Sequence, residues 1–117
     1  MKIKAEMISD ITLSDLADLY DLILEVHERD AELLRMDHIG NNSRFFASFY
    51  GVEEISGNFL AGTYGDGPTP QAAIDDYTSK ISGVRLVKDA YGGDKRIEFG
   101  PYNITTTGDE WETREEP

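Results

Sequence analysis

The sequence predicts an α+β domain, a two-layer sandwich in which two helices cover an antiparallel sheet. Three observations lead there. Two stretches repeat apolar residues at helical spacing, near residues 13–36 and 70–83. Arg44 to Val52 (RFFASFYGV) alternates as a strand does. Val84 to Phe99 has the composition of a hairpin. The 117 residues suit one core, expected over residues 1–102, with a polar acidic tail over 103–117 that is expected to be flexible.

In chain order, Lys2 to Met7 alternates polar and apolar residues and reads as a short strand. Thr12 suits an N-cap, and Asp15 three residues on favours the positive helix end. From there one long helix is expected to run from Leu13 to about Leu34 or Met36. Leu16, Leu19, Ile23, Val26 and Leu33 form one stripe on it, and Leu13, Ala17, Tyr20, Leu24, Ala31 and Leu34 form another, which makes the apolar face wide. Ile39 to Ser43 is a loop by composition. The strand of Arg44 to Val52 follows, Glu53 to Asn58 turns the chain, and Phe59 to Tyr64 returns as a second strand.

Gly65-Asp66-Gly67-Pro68 should break that strand as a tight turn into the second helix. Thr69 is placed to cap the helix, Pro70 to begin it and Gly83 to end it, with Ala73, Ile74, Tyr77 and Ile81 along one face. Val84 to Ala90 and Lys95 to Phe99 then close the hairpin about Tyr91 to Asp94. The resulting order is β-α-β-β-α-β-β. Its first six elements match a ferredoxin-like arrangement, an analogy that says nothing of function.

Charge constrains function more than any motif does. There are 23 acidic residues against 11 basic ones, a net charge of -12. Such a field repels nucleic acids and anionic membranes and attracts basic protein surfaces. The absence of cysteine rules out disulfides and thiolate chemistry and fits a cytoplasmic setting. No apolar run has the length of a membrane span.

Catalytic and metal constellations do not emerge. His27 and His38 are eleven residues apart, with no third ligand spaced to join them. The pairs Glu53-Glu54, Asp75-Asp76 and Glu115-Glu116 are adjacent in sequence, which does not make an acid–base dyad. The glycine-rich turn before the second helix sits where double-stranded-RNA-binding domains place theirs. Here Pro70 to Asp76 contains no lysine or arginine to hold phosphate. No enzyme activity, metal or cofactor is expected.

The candidate partner-binding residues are therefore acidic. On the long helix, Asp18, Asp21, Glu25, Glu28 and Glu32 step by three and four into one ridge, at a like-charge cost of about 0.2–0.5 kcal/mol per pair. Glu53 and Glu54 add a second acidic point. Trp111, set among acids in GDEWETREEP, could anchor a partly apolar partner. A solvated helix face and a free chain end are the competing readings of the ridge and the tail.

The stretch GDGPTPQAAIDDYTSKISGVRLV, Gly65 to Val87, resembles a pattern in small proteins encoded by bacteriophages, over about a fifth of the chain. The resemblance implies an accessory or anti-defence protein. Acidic members of that class include inhibitors of restriction enzymes and CRISPR nucleases that occupy nucleic-acid sites. It assigns no residue a role. The expected function is thus a non-enzymatic interaction protein that occupies a basic nucleic-acid-binding surface of a host defence protein in the bacterial cytoplasm. The alternative is a structural or assembly protein that homo-oligomerises through helix 13–36, its acid serving solubility only.

Overall fold

The first helix stops after two turns. A computed structural model, which describes residues 8–30 and 41–106, runs β1 (Ser9–Thr12), α1 (Leu13–Tyr20), β2 (Leu24–Glu28), a 3₁₀ turn (Asn41–Ser43), β3 (Phe45–Phe49), β4 (Val52–Ser56), β5 (Phe59–Ala61), β6 (Gly65–Gly67), α2 (Pro70–Ile81), β7 (Leu86–Lys88), a second 3₁₀ turn (Gly93–Lys95), β8 (Ile97–Phe99) and β9 (Tyr102–Thr105). The α+β class and the antiparallel sandwich hold. The strands divide among three small sheets, β2-β3-β6 and β5-β4-β7-β8, both antiparallel, and a parallel pair β1-β9. That division departs from the single sheet of a ferredoxin-like order.

Helix α1 begins as expected, with the Asp15 N–H donating to Thr12 Oγ1 at 3.0 Å. Its end corrects the expected helix 13–36. Asp21 adopts a left-handed conformation (φ 54°, ψ 54°), which aspartate tolerates better than most residues. The N–H groups of Asp21 and Leu22 both donate to the Ala17 carbonyl, which closes the helix. Lys88 reaches across from β7 and donates to the Tyr20 and Asp21 carbonyls at 3.2 and 2.8 Å, placing a cation at the negative helix end.

Beyond the cap the period becomes two. Leu22 is buried and Leu24 and Val26 pack on the core, while Ile23 is 64% exposed. Of the stripe expected to be buried together, Leu16 is buried at 0% exposure and Leu19 is 60% exposed. The seam expected to pair two copies is therefore not a helix face, and Leu13 and Leu16 lie inside this chain's own core.

Two glycines reshape the middle of the chain. At Gly51 (φ +70°) the chain leaves β3 for β4, which belongs to the other antiparallel sheet, so the run Arg44 to Val52 is not one strand. Gly57 (φ +60°) then joins β4 to β5 as a hairpin, where a longer turn over Glu53 to Asn58 was expected.

Helix α2 matches its signals. The Ala72 N–H donates to Thr69 Oγ1 at 3.1 Å, Pro70 opens the helix, and Gly83 (φ +76°) follows its cap. Ala73, Ile74, Tyr77 and Ile81 are all buried, and Tyr77 meets Phe49 edge-on with ring centroids 5.7 Å apart. The glycine-rich segment is a strand and not a turn. Gly65 and Gly67 form β6 against β3, and α2 lies directly on them.

Strand β9 pairs with β1 and buries Ile104, so the fold continues through Thr105, past the expected boundary at residue 102. The expected strand over Lys2 to Met7, together with His38 and the end of the tail, lies outside the described residues.

Two tyrosines give the fold an alkaline limit. Burial raises the Tyr77 hydroxyl to about 12, with a backbone hydrogen bond from Phe49 opposing the rise. Burial raises Tyr20 to about 12 as well, reinforced by its 2.6 Å hydrogen bond with the Tyr102 hydroxyl. A free tyrosine ionises near 10, so above that pH the unfolded chain releases protons that the native state retains. The contribution of these tyrosines is thus expected to be flat below about pH 10 and to fall between about 10 and 12, by about 2–3 kcal/mol through Tyr77. Denaturant titrations across that range, followed with tyrosinate absorbance, check this. Stability unchanged up to pH 12 would contradict it.

Candidate functional site

The side of the β2-β3-β6 sheet away from α2 is open. Alternation along the strands places Glu25 and His27 of β2, Phe46 and Ser48 of β3, and Asp66 of β6 on it. His27 lies opposite Phe46, and Phe46 opposite Asp66, in one row across the sheet. Gly65 and Gly67 on either side of Asp66 let α2 cover the other side.

A cleft of about 600 Å³ lies on this face, closed at one end by the β3–β4 turn and the chain that follows β5. Glu25, Arg29, Phe46, Ser48, Tyr50, Glu53, Thr63 and Tyr64 line much of it. Its centre is aromatic and cationic. The Arg29 guanidinium lies 4.7 Å from the Phe46 ring centroid and 5.7 Å from that of Tyr64, and the two rings meet edge-on at 6.2 Å. His27 stacks on Phe46 at 5.1 Å.

Arg29 is neutralised within the fold. It pairs with Asp66 and donates to the Ser43 carbonyl at 2.6 Å. The Asp66 N–H in turn donates to Asp76 at 2.8 Å, and Asp76 pairs with Lys80 at 3.0 Å. Burial by itself would raise the Asp76 pKa, but the Asp66 N–H and the Lys80 ammonium outweigh it and hold the carboxyl below its ordinary value. The network ties β6 to α2, and it leaves Glu25 and Glu53 as the net charge of the cleft.

Neither carboxylate is engaged by an arginine or lysine among the described residues. Glu25 has His27 Nε2 at 3.7 Å, and Glu53 makes no hydrogen bond or ion pair among the described residues. The Tyr50 ring, 68% exposed, is likewise without a partner among them.

The expected acidic ridge is dispersed. Asp18 is exposed on α1, and Asp21 forms the helix cap. Glu25 and Glu28 lie on β2, three residues apart and so on opposite sides of the sheet. Glu28 there accepts from Arg44 Nε at 2.8 Å. The physical reason is the change of period at Asp21, since a step of three keeps residues on one side of a helix but puts them on opposite sides of a strand. Glu53 and Glu54 are neighbours on β4. Glu53 lines the cleft, and Glu54 accepts from the Thr63 hydroxyl at 2.8 Å. Glu32 and Trp111 lie outside the described residues.

Of the acidic candidates the structure therefore brings Glu25 and Glu53 to one cleft. Sequence reasoning missed Arg29, Phe46, Tyr50 and Tyr64 as further members, and Asp66 as the partner of Arg29. The alternation of Phe46, Ser48 and Tyr50 against Phe45, Ala47 and Phe49 was the available signal for an aromatic outer face.

Chemically the cleft is suited to holding a group. Ser48 lies opposite Glu25, close to His27 along the sheet, but no hydrogen bond links its hydroxyl to either residue among those described. No group of three or more potential metal ligands occurs among the described residues. Among them, too, no helix is long and apolar enough to cross a membrane. No protein-family model, curated protein or solved structure matches this chain.

Proposed function

We propose that this is a non-enzymatic acidic protein that binds a basic protein surface, and that it acts in the bacterial cytoplasm as an inhibitor occupying the nucleic-acid site of a host defence nuclease. The observation that carries the reading is the cleft, where two carboxylates that no arginine or lysine of the described chain engages share a lining with three aromatic rings, in a chain of net charge -12. Aromatic rings beside charge of one sign supply both the anchoring and the steering that binding to a basic surface needs. The resemblance of Gly65 to Val87 to bacteriophage proteins supports the choice of a nuclease as the partner.

The test is equilibrium binding to purified restriction and CRISPR nucleases, with and without duplex DNA. The protein is expected to bind at least one of them, to be displaced by DNA and to bind more weakly as salt rises. Glu25→Gln with Glu53→Gln is expected to weaken binding about tenfold, and Asp18→Asn, away from the cleft, by much less. Formation of a ternary complex with DNA, or binding indifferent to both salt and the double substitution, would overturn the reading.

A further inference from the structure

The cleft already holds one guanidinium, and that arrangement shows what its walls accept. Arg29 lies over two rings, Phe46 and Tyr64, while Asp66 takes its charge. The other half of the cleft repeats these ingredients without a cation. Tyr50 offers an exposed ring, and Glu25 and Glu53 offer carboxylates that no arginine or lysine of the described chain engages.

We propose that this half of the cleft is a seat for an arginine side chain presented by an exposed basic segment of the partner protein. Charge complementarity identifies the occupant as a cation, because the pairing of Arg29 with Asp66 leaves two negative groups. The aromatic ring selects arginine over lysine. A planar guanidinium can stack on Tyr50 while its edge N–H groups donate to Glu25 or Glu53. An ammonium is a compact, strongly hydrated point charge and gains less from the ring. The proposal rests on the reading of the protein as a binder of basic surfaces and names the group that is read.

The test compares a hexa-arginine and a hexa-lysine peptide of equal charge, titrated against the intact protein with two-dimensional NMR. Hexa-arginine is expected to bind about two- to fivefold more tightly, with the largest shifts at Tyr50, Glu25 and Glu53. Tyr50→Ala should abolish the preference and Tyr50→Phe should retain it. The exposure of Tyr50 allows either change without loss of the fold, which circular dichroism verifies. Equal affinity for the two peptides, insensitive to Tyr50→Ala, would overturn the arginine seat while leaving a basic-surface binder intact. Binding of neither peptide would overturn both.

Discussion

Gly65→Ala is expected to unfold the protein or to cost it about 3 kcal/mol or more, the upper range for overpacking. The new Cβ would lie 2.1 Å from the Tyr77 backbone nitrogen and 2.3 Å from the Ala73 carbonyl oxygen. These are main-chain atoms in the middle of α2, and no change of rotamer moves them. The helix would have to lift from β6, opening the contact that buries Ala73, Ile74 and Tyr77. Gly67→Ala should behave similarly, because its Cβ would meet the Ala73 nitrogen at 2.5 Å. Gly62 is the control. An added Cβ there meets nothing within 4 Å, so Gly62→Ala should stay within about 0.5 kcal/mol of the parent. Urea denaturation of the three variants measures the contrast. Near-native stability of Gly65→Ala would show that α2 does not lie this close to β6.

Tyr77→Ala is expected to cost about 3–5 kcal/mol, as removal of a large buried ring does elsewhere. Tyr77 is 1% exposed and packs edge-on against Phe49, joining α2 to β3 at the centre of the core. The truncation would leave a void that main-chain helix and strand cannot close. Tyr77→Phe separates the ring from its hydroxyl. It should cost about 1 kcal/mol, the usual worth of one hydrogen bond, and it should remove the share of alkaline destabilisation that Tyr77 contributes between about pH 10 and 12. Parallel urea titrations at neutral and alkaline pH would check both effects. A Phe variant as alkali-sensitive as the parent would assign that sensitivity to Tyr20 instead.

The reading of the acidic residues failed at one position. Asp18, Asp21, Glu25, Glu28 and Glu32 share a helix face only if the chain stays helical through Asp21, and Asp21 is where the helix closes. Residues 22–28 fit both periods. Their helical stripes were plain, while the alternation of Leu22, Leu24 and Val26 against Ile23, Glu25 and His27 was equally present and carried the β-branched residues that suit strands. The favourable choice depended on β3. Its cross-strand pairing, Val26 with Ala47 and Leu24 with Phe49, completes a sheet that α2 can cover, a gain invisible to local periodicity.

What the sequence by itself determined was local or global in the simplest sense. Thr12 and Thr69 cap their helices because their hydroxyls reach N–H groups three residues on. Pro70 and Gly83 bound α2 through their own backbone preferences, and its apolar stripe follows from a repeat of 3.6. The α+β class and the net charge follow from composition and pattern. Tertiary structure alone decided where α1 ends, that Gly65-Asp66-Gly67 is a strand under a helix, and that β9 returns to β1. It also decided the cleft, bringing Glu25 from β2 and Glu53 from β4 beside Phe46, Tyr50 and Tyr64. The physical reason is range. Caps and stripes depend on neighbours within a few residues, whereas sheet pairing and close packing join segments tens of residues apart, whose free energy no local pattern records.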